Sequence, residues 1–274
     1  MKKTITLPKM HFAHEALIRP TNPISVNVIG AGATGSFLVS GLSRLHRALQ
    51  ASGHPGFQVR LIDRDTISAA NVARQLFFDA EIGLDKAPTL ISRINRAMGL
   101  NWKGIPCRYE KATADYLNEV EAATATITIS CVDTIKARFE IGEMLSHFHE
   151  KFRWHRDQPI YWMDLGNAET TGQVILSTVY DVKQPKSNLY KPVPRLPTVI
   201  KEFGKVLKAQ RPSEQNTPSC SLVEALEKQD LFINPAIAAD GCQLLRDLIR
   251  RAMTDVRGVF INLERFRHTA LRVE

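Results

Sequence analysis

The chain has 274 residues, of which 44% are apolar, and 36 Lys and Arg side chains against 28 Asp and Glu give a formal net charge of +8. This composition is that of a folded protein and excludes a chain that is disordered throughout. No stretch approaches the roughly 18 consecutive apolar residues of a membrane-spanning helix. The N-terminus lacks the apolar core of a signal peptide, so we expect a cytoplasmic protein without a membrane partner. The four cysteines lie far apart without a Cys-x-x-Cys pair, which argues against a zinc knuckle and a disulfide framework.

Short β-branched apolar runs alternate with amphipathic stretches along the chain, and each pattern predicts one type of element. Strands are predicted at 24–29, 57–62, 105–108, 127–132, 159–165 and 171–180. Helices are predicted at 33–49, 86–98, 113–123, 134–149, 198–209, 222–228 and 235–254. Strands that alternate with helices imply right-handed crossovers. The expected fold class is therefore α/β, a doubly wound and mainly parallel sheet with helices on both faces.

Residues 181–221 hold eight Lys and Arg, three acids and six of the fourteen prolines, so this segment carries +5 of the +8 charge. Because proline excludes a continuous helix and a central strand, we expect a long basic crossover loop with a short helix. The loop is either solvated or a flexible arm that docks an acidic partner or covers a nucleotide. The chain then divides into an N-terminal extension (1–23), a nucleotide-binding core (24–180), the crossover loop (181–221) and a C-terminal helix and strand (222–274) that complete a single domain.

A glycine-rich turn, Gly30-Ala31-Gly32-Ala33-Thr34-Gly35, lies between the first predicted strand and the first predicted helix. Glycine permits the tight turn and lets phosphate oxygens approach the free N–H groups at the helix N-terminus. Asp63, at the end of the second predicted strand, is placed to accept hydrogen bonds from ribose hydroxyls. These features predict nucleotide binding, and close packing of strand on helix is the alternative role of the glycines.

Two basic side chains and one acidic side chain follow Asp63, the expected ribose ligand, along the sequence. Arg74 and Lys86 are placed to hold a triphosphate, and each opposite charge at about 4 Å is worth roughly 4 kcal/mol at an effective dielectric constant near 20. Asp133 follows a later strand, where one carboxylate and phosphate oxygens would together bind Mg²⁺. Taken singly, Arg74 and Lys86 could be surface charges and Asp133 a helix cap.

These motifs resemble the superfamily of ThiF, MoeB and the ubiquitin-activating enzymes over roughly residues 24–172. The residues that match the family pattern, in chain order, are Gly30, Gly32, Gly35, Asp63, Asp65, Asn71, Arg74, Gln75, Ile82, Gly83, Lys86, Asp133 and Arg138. Within this superfamily, the chain resembles the ThiF-like family of the PRTRC cassettes. The resemblance implies a Rossmann-like fold, ATP and Mg²⁺ as cofactors, an acyl-adenylate intermediate and a homodimer. The Cys-x-x-Cys zinc site of many bacterial members is absent.

Two further residues have open roles. Cys220, in Pro218-Ser219-Cys220-Ser221, resembles the Pro-x-Cys-Thr signature at which ubiquitin-activating enzymes form a thioester, and its alternative role is that of a plain loop thiol. Arg19 is the only arginine before the first predicted strand. In several relatives an arginine near the N-terminus reaches the partner subunit's ATP site, although the sequence around Arg19 does not match that motif.

The function that the resemblance implies is ATP-dependent adenylation of the C-terminal carboxylate of a ubiquitin-like protein. Thioester formation on Cys220 is the further step that this chemistry allows, and a conjugating-enzyme-like protein is the further partner. The residues expected to catalyse it are Arg74, Lys86, Asp133 and Cys220. Those expected to bind ATP are Gly30, Gly32, Gly35, Asp63, Asp65, Asn71, Arg74, Gln75, Lys86 and Asp133. Three alternatives stay open: adenylation of a small or RNA-linked carboxylate, an NAD-binding oxidoreductase, and a nucleotide-bound scaffold. Nucleic-acid binding is disfavoured because no cluster of stacking aromatic residues accompanies the basic ones.

Overall fold

A mixed sheet of eight strands forms the centre of the computed structural model, which describes residues 7–72, 74–110, 124–209 and 230–274. The parallel strands are β2 (Ile24–Ile29), β3 (Phe57–Ile62), β4 (Lys103–Ile105), β5 (Ile127–Ser130) and β6 (Tyr161–Asn167). The strands that pair antiparallel are β7 (Thr171–Thr178), β10 (Val256–Asn262) and β11 (Arg267–Arg272). Across the sheet the order is β11-β10-β7-β6-β5-β2-β3-β4.

Helices cover both faces of this sheet. One core contains α1 (Glu15–Ile18), α2 (Ala33–Ala51), α3 (Lys86–Met98) and α6 (Ile233–Arg251), and a second core contains α4 (Ile135–Lys151) and α5 (Val199–Ala209). All six residues of β2 are buried, as a parallel strand between two helical layers requires. The predicted α/β class with a mainly parallel sheet is confirmed. Within the described residues, no helix is both long and apolar enough to cross a membrane.

Several element boundaries differ from the prediction. The strand predicted at 105–108 is β4, which ends at Ile105 because Pro106 has no N–H to donate to the ladder. The last helix ends at Arg251, since Ala252 has a positive φ of 56° and the chain continues as a strand. The C-terminal part forms the β10–β11 hairpin instead of one strand. The helices predicted at 113–123 and 222–228 lie outside the described residues.

The described part of the basic segment, residues 181–209, is attached to the fold. A small sheet pairs β1 (Lys9–Phe12) with β8 (Lys191–Pro192) and with β9 (Met253–Thr254). Val182 and Leu196 are fully buried, and the ring of His11 lies 2.7 Å from the carbonyl oxygen of Val193. Neither a solvated loop nor a flexible arm describes these residues, because apolar side chains and strand pairing hold them. The lysine and arginine side chains at 183, 186, 191 and 195 remain exposed.

Candidate functional site

The glycine turn between β2 and α2 is packed tightly against the segment that follows β5. Gly30 has a φ of 98°, a conformation that favours glycine, and a Cβ there would lie 2.6 Å from the carbonyl oxygen of Cys131. A Cβ on Gly35 would lie 1.9 Å from the carbonyl oxygen of Gly30. At Gly32, by contrast, a Cβ would meet no atom within 4 Å. The turn therefore leaves open space at the N-terminus of α2, where phosphate is expected to bind.

Acidic residues after β3 meet both the turn and the start of α3. One carboxylate oxygen of Asp63 accepts a hydrogen bond from the Ala31 N–H at 2.5 Å, and the other accepts one from the Asp65 N–H at 2.7 Å. Burial raises the pKa of Asp63, and these two hydrogen bonds together with the charge of Lys86 oppose that rise. Lys86 Nζ lies 3.6 Å from a carboxylate oxygen of Asp65, and the lysine side chain is only 9% exposed. A buried cation thus faces two carboxylates beside the glycine turn.

The loop with Arg74 and Gln75 also reaches the turn. The N–H of Leu76 donates to Oγ of Ser36 in the first turn of α2, at 3.2 Å. Nε of Arg74 and Oε1 of Gln75 are buried, and neither has a hydrogen-bond partner among the described residues. Burial lowers the pKa of Arg74. Because an unsatisfied buried donor costs free energy, an anionic ligand at this guanidinium would recover it.

Asn71 has a structural contact in the same loop. Its side-chain oxygen accepts a hydrogen bond from the Ser68 N–H at 2.9 Å, which closes a capping box around the short 3₁₀ turn at Ala69–Asn71. Asn71 is 9% exposed. This contact shapes the loop that leads to Arg74, and it uses the side-chain oxygen of Asn71 and not its amide NH₂.

Asp133 lies in the turn between β5 and α4, and it is exposed. The residue that caps α4 is Thr134, whose hydroxyl accepts a hydrogen bond from the Ala137 N–H at 3.2 Å. Arg138 is buried, with Nε 3.2 Å from both carboxylate oxygens of Asp164, and it donates to the carbonyl oxygen of Val132 at 2.8 Å. Arg138 therefore supports the turn that carries Asp133, while the Asp133 carboxylate is open to solvent.

Asp164→Ala is expected to lower the free energy of unfolding by about 3–5 kcal/mol, because it leaves the Arg138 guanidinium buried without its counter-ion. The side chains of Arg138 and Asp164 are 8% and 1% exposed. Urea unfolding followed by circular dichroism measures the change. The matched control is Asp181→Ala, which breaks the exposed ion pair with Arg195 and should cost at most about 1 kcal/mol. Equal losses in the two variants would contradict a supporting role for the buried pair.

A polar contact that sequence reasoning missed joins the glycine turn to α6. Thr34 Oγ1 donates to the side-chain oxygen of Asn234 at 2.7 Å, and Nδ2 of Asn167 lies 3.2 Å from the same oxygen. Asn234 is 1% exposed and stands in the first turn of α6. It fixes the first turn of α2 relative to the carboxyl end of β6. No local pattern around Asn234 could have indicated this contact.

The remaining predicted residues are not brought to this site. Cys220 lies outside the described residues. Arg19 is exposed and directly follows α1. The carbonyl oxygen of Leu17 in α1 contacts His54, which precedes β3, so α1 lies at the amino ends of the parallel strands and the glycine turn lies at their carboxyl ends. Two other cysteines are poor nucleophiles, because burial raises the pKa of the Cys131 thiol and raises that of the Cys242 thiol to about 12. Among the described residues, no group of three His, Cys, Asp or Glu side chains could hold a metal ion.

Together, the parallel strands and the glycine turn at their carboxyl edge define a Rossmann-like α/β protein. The sequence profile of the ThiF family matches residues 9–268, so the chain belongs to the ThiF family. No functionally curated protein sequence matches it.

Solved structures show the same fold at low sequence identity. Escherichia coli MccB is 13% identical with a TM-score of 0.56, and the alignment covers 91% of this chain and 62% of MccB. PaaA is 15% identical with a TM-score of 0.56, covering 91% of this chain and 64% of PaaA. MccB crystallised with ATP is 13% identical with a TM-score of 0.54, covering 91% of this chain and 63% of that one. The chain thus spans less than two thirds of the length of these neighbours.

Proposed function

We propose that this protein is an ATP-dependent adenylyltransferase that activates a carboxylate. The observation that carries the proposal is the buried Nε of Arg74, which has no hydrogen-bond partner among the described residues. Arg74 lies in the loop whose Leu76 N–H donates to Ser36 in the first turn of α2. Membership of the ThiF family supports it, as do the neighbouring structures of MccB with ATP and with MccA. An NAD-binding oxidoreductase would have no evident use for Arg74 and Lys86, the two cations that follow the expected ribose ligand Asp63.

Each residue at this edge has a role that suits ATP. The N–H groups at the start of α2 would bind phosphate, and Asp63, whose oxygens each keep a free lone pair, would accept the ribose hydroxyls. Asp65 holds Lys86, and Asn71 and Gln75 offer amide groups to the nucleotide. Arg74 and Lys86 would neutralise the triphosphate.

Asp133 fits a magnesium ion that is also bound by phosphate oxygens, because Mg²⁺ commonly takes only one or two protein carboxylates. The ion would supply charge neutralisation. In the reaction, a carboxylate oxygen of the substrate forms a bond to the α-phosphorus, and the bond from that phosphorus to the pyrophosphate oxygen breaks. Carboxylates are ionised at pH 7, so no general base is required. Positioning and electrostatic stabilisation therefore carry the step.

The proposed substrate is the C-terminal carboxylate of a ubiquitin-like protein, as the resemblance to the PRTRC family implies. Cys220 would then take the acyl group as a thioester, with AMP leaving, before transfer to a conjugating-enzyme-like partner. A homodimer, with Arg19 near the partner subunit's nucleotide, belongs to the same proposal. Adenylation of a small or RNA-linked carboxylate is the alternative within this chemistry.

Exchange of labelled pyrophosphate into ATP tests this proposal. With ATP, Mg²⁺ and a ubiquitin-like protein encoded beside this chain, we expect exchange that disappears when the partner's C-terminal carboxylate is amidated. Exchange with amino acids or RNA in place of the protein would support the alternative substrate. Tighter binding of NAD than of ATP would overturn the proposal.

Cys220→Ser separates adenylation from thioester formation. We expect this variant to keep pyrophosphate exchange, because the adenylate forms before the thiol acts, and to lose a reducible adduct in the intact mass spectrum. Cys107→Ser is the matched control and should keep both. An adduct that survives in Cys220→Ser would exclude Cys220 as the acyl acceptor.

A further inference from the structure

A groove runs along α3 at the β4 edge of the sheet, and none of the proposed nucleotide ligands lines it. It is a shallow groove, open to solvent, with a volume of about 540 Å³, and its lining includes Ile91, Ser92 and Arg96 from α3 and Leu100 and Trp102 from the segment that follows. Trp102 is 3% exposed, and its indole N–H donates to the carbonyl oxygen of Phe57 at 3.0 Å. Trp102 and Ile91 are therefore part of the core beneath the groove, and the accessible surface of the groove itself is mostly polar. We call it the α3–β4 groove.

Strand β4 closes one side of this groove and is the last strand of the sheet. Among the described strands it pairs with β3 alone. A Cβ on Gly104 would lie 2.4 Å from the carbonyl oxygen of Ala87, so α3 rests directly on the strand. The backbone of an edge strand can pair with an extended polypeptide, and a neighbouring groove can take that polypeptide's side chains. The α3–β4 groove has both features.

The segment that forms the groove carries charges of one sign. Residues 86–109 contain five Lys and Arg and no Asp or Glu. Arg93 is paired with Glu81 and Arg108 with Glu140, but Arg96 and Lys103 are exposed and make no ion pair within the described residues. At the far end, Arg47 donates to the carbonyl oxygen of Met98 and brings another cation. The electrostatic potential along the groove therefore attracts an acidic partner.

We propose that the α3–β4 groove binds an acidic, extended segment of a partner protein, which pairs with β4 and places its carboxylates against Arg96 and Lys103. A polypeptide fits better than nucleic acid, because the ring in the lining, Trp102, is too buried to stack on a base. A second copy of this chain fits less well, since like charges oppose each other. None of the lining residues is a proposed nucleotide ligand, so this inference does not depend on ATP binding.

Fluorescence anisotropy with a labelled peptide of alternating Glu and Val residues tests the groove, without nucleotide. Compared with the wild-type protein, we expect Arg96→Glu combined with Lys103→Glu to weaken binding about tenfold or more. Ser92→Trp, which fills the groove without changing its charge, should weaken it similarly. Arg265→Glu combined with Arg267→Glu makes the same charge change on exposed residues at the opposite edge and should keep the affinity within about twofold.

Four results would overturn the proposal. The first is that the control variant weakens binding as much as the Arg96→Glu and Lys103→Glu pair does, and the second is that a peptide of alternating Gln and Val binds as tightly as the acidic peptide. The third is that oligothymidine binds more tightly than the acidic peptide. The fourth is that the wild-type protein forms a dimer that Arg96→Glu dissociates. Retained ATP binding in Arg96→Glu keeps this test separate from that of the proposed function. Circular dichroism of each variant confirms that a lost interaction is not lost folding.

Discussion

Replacing Gly35 by alanine is expected to lower the free energy of unfolding by about 1–3 kcal/mol and to abolish ATP binding. The new Cβ would lie 1.9 Å from the carbonyl oxygen of Gly30. That oxygen belongs to the backbone, so no side-chain rotation can relieve the contact, and the turn between β2 and α2 must open. Urea unfolding measures the stability, and titration calorimetry measures ATP binding.

Gly32→Ala is the matched control within the same turn. A Cβ at Gly32 meets no atom within 4 Å, so the free energy of unfolding of the variant should lie within about 0.5 kcal/mol of the wild-type value. Its methyl group would nevertheless enter the space where phosphate is expected, so ATP affinity should fall. Wild-type affinity in Gly32→Ala would contradict phosphate binding at this turn, and unchanged stability in Gly35→Ala would contradict its tight packing.

Elements with strong local boundary signals could be predicted from the sequence. The ranges of β2, β3 and α3 match the prediction at both ends. Pro23 and Gly30 flank β2, and α3 ends where Gly99 takes a φ of 61°, so residues adjacent in sequence mark the boundaries. The sequence does not predict the antiparallel edge of the sheet, because β7 and β10 pair across a long stretch of chain that contains α5 and α6.

Some contacts of the candidate site could also be predicted from the sequence, and others could not. The glycine turn follows β2, whereas Asp63 and the segment that leads to Lys86 at the start of α3 follow the neighbouring parallel strand β3. Because the carboxyl ends of parallel strands share one edge, this meeting could be predicted. The contact between Thr34 and Asn234 could not, because it depends on how α6 returns to the sheet. Arg138 matches the family pattern, but only the structure shows that its guanidinium forms a buried ion pair with Asp164.

Lys86→Ala is expected to reduce pyrophosphate exchange about 10²–10³-fold, the usual effect of removing one preorganised group that stabilises developing charge. Lys86 is suited to this role because its side chain is only 9% exposed, with Nζ 3.6 Å from its ion-pair partner Asp65. Asp65 is itself 59% exposed, so the lysine faces a boundary between protein and solvent where a triphosphate could reach it. The rate of exchange at saturating ATP measures the effect.

Two control variants separate this role from packing and from general charge. Lys86→Met keeps most of the buried aliphatic stem and should lose exchange as severely as Lys86→Ala, because both lack the ammonium group. Lys136→Ala removes a cation from α4 whose side chain is 81% exposed, and its exchange rate should stay within about twofold of the wild-type rate. If Lys86→Ala exchanged pyrophosphate at the wild-type rate, the triphosphate would have to be held by Arg74 and the turn alone. A large loss in Lys136→Ala would instead assign the effect to the overall positive charge of the chain.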